Sequence, residues 1–156
     1  MLHTFSGGVD GGNPYAGVIF DAAGNLYGTT YGGGGEGFGV VFKLTPASSG
    51  WSYTVLHCFA GLPGEYPEAG LIMDAAGNLY GTTYGGGSNY GSVFKLAPTS
   101  SGWSYTTLHR FGGLPGEYPA AGLTMDAAGN LYGTTFGDGT IFGAGTNHGL
   151  VFEITP

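Results

Sequence analysis

Asp21-Ala22-Ala23-Gly24-Asn25-Leu26-Tyr27-Gly28-Thr29-Thr30 recurs without a mismatch at residues 74–83 and 126–135. The copies start at 21, 74 and 126, so they lie 53 and 52 residues apart. A fixed period of this size marks repeated supersecondary units and governs how the rest of the chain is read. Within the stretch, Gly24 can take the positive φ of a tight hairpin turn, and the Asp21 carboxylate can accept bonds from the turn amides. Around that hairpin each repeat holds four candidate strands. In the middle repeat they are residues 69–74, 78–84, 92–97 and 103–111. The first is short and nearly continuously apolar, as in a strand buried on both faces. The last alternates, with Trp103, Tyr105, Thr107, His109 and Phe111 on one parity, as in a half-exposed strand.

Four antiparallel strands in about 50 residues is the arithmetic of a β-propeller blade. The expectation is an all-β protein, a β-propeller built of four-stranded antiparallel blades, three blades per chain. It forms a single repeat domain over residues 1–156, with blades at approximately 1–46, 51–98 and 103–156. The apolar strand should be innermost and the alternating strand outermost. Residues 2–5 align with the end of an outer strand (56–59), and 151–156 align with a third strand. One unattached piece of outer strand is therefore expected at the N-terminus, the arrangement by which propellers close. Propellers typically have about four to eight blades, so three cannot form a ring. Two chains would supply six. The expected partner is a second copy, in a homodimer closing a six-bladed ring, with residues 2–5 pairing with 151–155 of the partner.

The composition agrees. The chain has 35 glycines and 8 prolines among 156 residues, yet 42% of residues are hydrophobic and 15% aromatic. Glycine at this density disfavours helix and suits many tight turns, while the apolar content can fill a core. The formal net charge is −7 and only 3 residues are basic, which leaves no electrostatic footprint for nucleic acid or an anionic membrane. No apolar run reaches the roughly 20 residues that span a bilayer, so no membrane insertion is expected. Cys58 is the single cysteine, which rules out a disulfide framework and a cysteine-rich metal site. The start, Met-Leu-His-Thr-Phe, lacks the charged-then-apolar pattern of a signal peptide.

The motifs Tyr-Gly-Gly-Gly, Val-Phe-Lys-Leu and Leu-His-x-Phe, together with the decapeptide, resemble the choice-of-anchor tripartite repeat family of typically exported bacterial proteins. The resemblance covers essentially the whole chain. It implies an extracellular or cell-surface location and supplies no catalytic residue. The Asp-x-x-Gly-Asn-Leu-Tyr turn is also similar to the inner hairpin of NHL-type propellers.

Asp21, Asp74 and Asp126 have hairpin spacing and read as carboxylates capping their own turns; a calcium loop would need further oxygen ligands at alternate positions. His3, His57 and His109 recur in Leu-His-x-Phe, but an outer strand would hold them far apart, so a metal site is not expected. Residues 32–37 match G-x-G-x-x-G formally, with no helix following to supply the phosphate-binding mechanism. Lys43 and Lys95 read as a solvated strand face, because Glu153 stands there in the third repeat. Glu65, Glu68, Glu117 and Asp138 have no spacing that argues for an acid/base pair. No cofactor is expected.

Two glycine-rich loop families remain, and an up-and-down blade would bring both to one face. They carry Asn13, Glu65, Tyr66, Tyr90, Glu117, Tyr118, Asn147 and His148. Aromatic rings beside amides and carboxylates suit shallow polar ligands such as sugars. Those eight residues form the expected ligand-binding set, with Glu65-Tyr66 and Glu117-Tyr118 at its centre. The leading functional expectation is a non-catalytic extracellular binding module, lectin-like, with a glycan as ligand. The alternative is a structural, assembling module of a bacterial surface protein. A lyase or hydrolase of propeller type ranks last.

Overall fold

The computed structural model describes residues 1–61, 64–85, 90–112, 117–137 and 148–156. Eleven strands and no helix occur among them. The first sheet contains β1 (Ile19–Phe20), β2 (Leu26–Thr30), β3 (Val40–Ala47) and β4 (Gly50–Cys58). The second contains β5 (Ile72–Met73), β6 (Leu79–Thr83), β7 (Ser92–Thr99) and β8 (Gly102–Arg110). The third contains β9 (Thr124–Met125), β10 (Leu131–Thr134) and β11 (Val151–Ile154). Within each sheet every strand pairs antiparallel with its chain neighbour. The architecture is thus all-β, two four-stranded sheets and one three-stranded sheet in chain order.

The decapeptide builds the second strand and the hairpin before it. In β6 the whole run Leu-Tyr-Gly-Thr-Thr is buried. Gly81 lies opposite Phe94 on β7, and the Phe94 ring lies over it: a Cβ on Gly81 would sit 2.7 Å from Phe94 Cζ. Gly28 with Phe42 and Gly133 with Phe152 repeat the arrangement.

The first strand of each sheet is shorter than expected, two residues rather than about six. The residues before it bond elsewhere. The Asn13, Tyr66 and Tyr118 carbonyls accept from the amides of Tyr31, Tyr84 and Phe136, and Pro14, Pro67 and Pro119 have no amide to donate. The hairpins around residues 48–49 and 100–101 lie inside sheets, because β3 pairs with β4 and β7 with β8. The first sheet therefore runs from β1 to β4 and the second from β5 to β8.

Two core clusters lie between sheets, and a third, of Leu26, Val40, Phe42 and Leu44, lies on the first sheet under Phe5. Tyr27 and Val41 of the first sheet pack with Leu71, Leu79, Phe94 and Leu96 of the second. Tyr80 and Val93 of the second pack with Leu123 and Leu131 of the third. A β-bulge at Leu56, and again at Leu108, interrupts the register late in β4 and β8. Past the bulge the strand end turns onto the next sheet. His57 stacks on Tyr105 at 4.2 Å and Phe59 meets Phe94 edge-on at 5.4 Å. Residues 2–5 form no strand within the chain. Instead His3 stacks on Tyr53 at 4.1 Å and Phe5 meets Phe42 edge-on at 5.2 Å. The N-terminal segment thus does for the first sheet what the end of β4 does for the second.

Candidate functional site

Each sheet has a turn end and a loop end. At the turn end of the second sheet, Asp74 Oδ1 accepts from the amides of Ala76 and Asn78, both at 2.9 Å. Its Oδ2 accepts from the Asn78 side-chain amide at 2.7 Å and from the Tyr80 hydroxyl at 2.9 Å. Asp21 and Asp126 have the same four partners. Burial raises the Asp74 carboxyl, but the bonds from Asn78, Tyr80 and Ala76 outweigh it and hold it below the ordinary value. Burial, then the neighbouring Asp74, pushes Tyr80 up to about 12. The capping reading of the aspartates holds.

The lysines at this end are not simply solvated. Lys43 and Lys95 are partly buried and lie over the rings of Tyr27 and Tyr80, at 5.6 and 5.5 Å from the centroids. In the third repeat Glu153 Oε1 lies 3.1 Å from the Tyr132 hydroxyl and shares its single proton with Asp126.

The loop end is built from bonds between sheets. The Tyr66 amide donates to the Phe38 carbonyl of the first sheet, and the Tyr66 carbonyl accepts from the Tyr84 amide of the second. Tyr118 repeats this with the Tyr90 carbonyl and the Phe136 amide. Asn13, Tyr66 and Tyr118 all have positive φ, 57°, 56° and 58°, a conformation that asparagine tolerates and that is strained for tyrosine. That backbone lays Tyr66 on Tyr31 at 4.8 Å, with Phe38 against its edge, and Tyr118 on Tyr84 at 4.9 Å, with Tyr90 against its edge. Tyr15 continues the row, 5.3 Å from Tyr31.

The expected ligand-binding residues are therefore divided between joins. Glu65 and Glu117 are not presented to solvent beside their tyrosines: they are 8% and 4% exposed. Burial raises the Glu65 carboxyl. Tyr66, Tyr118 and Tyr90 are half-buried with ring faces or edges already occupied. Asn13 and His148 are exposed; Asn147, like Asp138, lies outside the described residues. Reasoning from sequence missed Tyr31, Tyr84 and Tyr15. The available signal was the aromatic residue directly after each decapeptide, Tyr31, Tyr84 and Phe136. Among the described residues no three His, Cys, Asp or Glu side chains gather as metal ligands.

A family model described as the Gloeobacter/Verrucomicrobia repeat matches residues 1–156. The chain belongs to that family. The Gloeobacter/Verrucomicrobia repeat is a bacterial repeat family, and the match does not extend to the choice-of-anchor tripartite repeat family that the motifs resemble. A comparison with curated proteins found no match. Membership therefore accounts for the tandem Gloeobacter/Verrucomicrobia units and assigns no role to the loop end.

Proposed function

We propose that the three sheets are blades of a β-propeller and that the chain is a non-catalytic binding module displayed outside the bacterial cell, taking glycans at its loop end. The propeller reading is supported by the inner segments, which converge. A Cβ on Gly70 would lie 3.5 Å from the Gly17 carbonyl oxygen, and one on Gly122 would lie 4.0 Å from the Gly70 oxygen. The observation that carries the binding reading is the row Tyr15, Tyr31, Tyr66, Tyr84 and Tyr118. It presents half-exposed rings and hydroxyls across successive blades on a surface otherwise rich in glycine. Rings with polar tips pack against the apolar face of a sugar while bonding its hydroxyls.

The experiment is a glycan array followed by titration of each hit against Tyr15→Ala. Tyr15 is 66% exposed, so its loss should leave the fold intact. Binding of the hit at least tenfold weaker in the variant is the expected result. A silent array, or a hit indifferent to Tyr15 and Tyr84, rejects the glycan reading. The second reading, a structural module, is favoured by the strain and stacking of Tyr66 and Tyr118, which hold blades together.

A further inference from the structure

The two joins inside the chain are made by equivalent positions. Tyr27 and Val41 receive Leu71 in the first join, and Tyr80 and Val93 receive Leu123 in the second. A hydroxyl donates across each join, from Thr29 to the Ala69 carbonyl at 3.0 Å and from Thr82 to the Ala121 carbonyl at 3.2 Å. On the third sheet the corresponding residues are Tyr132, Val151 and Thr134. Val151 is 77% exposed where Val41 and Val93 are 0%. A groove of about 270 Å³ lies there, lined by Leu123, Thr124, Tyr132, Thr134 and Val151 among others.

The first sheet presents the complementary half. Val18 and Phe20 occupy the positions of Leu71 and Met73. They are 48% and 67% exposed, whereas Leu71 is 3%. The N-terminal segment adds a specific cue. In the internal joins, Val41 is in register with His57 and Val93 with His109, and His57 then stacks on Tyr105 of the following sheet. His3 is stacked in the same way on Tyr53 of the first sheet. The first sheet thus carries a docked piece of the outer strand that a preceding sheet would contribute.

We propose that the exposed face of the third sheet binds the exposed face of the first sheet in a second copy of this chain, head to tail. Val18 of one copy enters the groove against Tyr132 and Val151 of the other. Thr134 donates to the Ala16 carbonyl, and β11 gains the 2–5 segment as its neighbour with His3 opposite Val151. The two faces differ, so the contact is heterologous, and two copies making it twice close a ring of six sheets. This inference is independent of the glycan reading, since it concerns the ends of the sheet array and not the loop end.

Light scattering after size exclusion at micromolar concentration tests it, with circular dichroism to confirm folding. The chain should run at twice its own mass. Val151→Arg and Phe20→Arg each change a side chain that is mostly exposed, and each alone should weaken association at least a hundredfold. An equimolar mixture of the two should recover a complex of two chains, because each variant keeps the face that the other has lost. Should either arginine impair folding, Thr134→Arg and Val18→Arg place the charge at neighbouring positions on the same two faces. A monomeric wild type, a single variant that still associates, or a mixture that stays monomeric overturns the proposal. Larger masses that respond to the variants in the same way support the join and overturn closure at two copies.

Discussion

The turn end and the loop end of each sheet hold the backbone in opposite ways. At the turn end all four bonds to Asp74 come from within six residues of it, and the same set forms at Asp21 and Asp126. At the loop end the bonds of Tyr66 and Tyr118 reach into two different sheets. One end stabilises a hairpin; the other stabilises the relation between sheets. Damage at the first should stay local, while damage at the second should spread.

The largest effect is therefore expected from Gly91→Ala. Gly91 has φ +93°, and its Cβ would fall 2.5 Å from both the Thr83 carbonyl oxygen and Pro119 Cδ. Backbone strain and overpacking together should cost about 3 kcal/mol or more, measured as the shift in urea midpoint. Asp74→Ala should come next, at about 2 kcal/mol, since it removes charge-assisted bonds at a partly exposed site. If Asp74→Ala exceeds Gly91→Ala, the order of the two ends is reversed. The Asp74 carboxyl is held below its unfolded value, so its contribution is present above about pH 4 and is lost as pH falls through the folded value.

A smaller effect separates the joins from both ends. Burial against Tyr105 lowers His57 to about 4. Between the unfolded value near 6.5 and the folded value, the unfolded chain binds a proton that the folded chain does not. Stability should therefore fall on acidification from about pH 6.5 to 4.5, by about 1–2 kcal/mol after discounting for partial exposure. His57→Phe keeps the stacked ring and should flatten that slope. An unchanged slope in the variant would show that the first join does not hold His57 neutral.

What could be read from the residues follows the same division. The hairpin, the second strand and the alternation of the outer strand all depend on neighbours in sequence, and all were legible. The positive φ of Tyr66 and Tyr118, the burial of Glu65 and Glu117, and the tyrosine row depend on contacts between different repeats or across a whole loop, far beyond the reach of a local pattern. The aromatic residue directly after each decapeptide is the one local sign of them. The bulge at Leu56 was hidden for a related reason: Leu56 breaks the alternation only because the strand end must turn onto the next sheet. Phe5 and His3 align in sequence with Phe59 and His57 and make the equivalent ring contacts, but no local pattern shows that they dock on the first sheet of the same chain.

The glycine beneath the phenylalanine has a consequence for how these units can diverge. At Gly81 any side chain would overlap the Phe94 ring, and a smaller residue at 94 would leave the glycine backbone under an empty space. Neither position has a tolerated single step, so the pair behaves as a lock with two keys that must be turned together. Gly28 with Phe42 and Gly133 with Phe152 are bound by the same rule. Mutational paths through the second strand are closed on this account, whereas paths through the loops are open. Three copies of one decapeptide can then remain identical while the loops around them drift in length and composition.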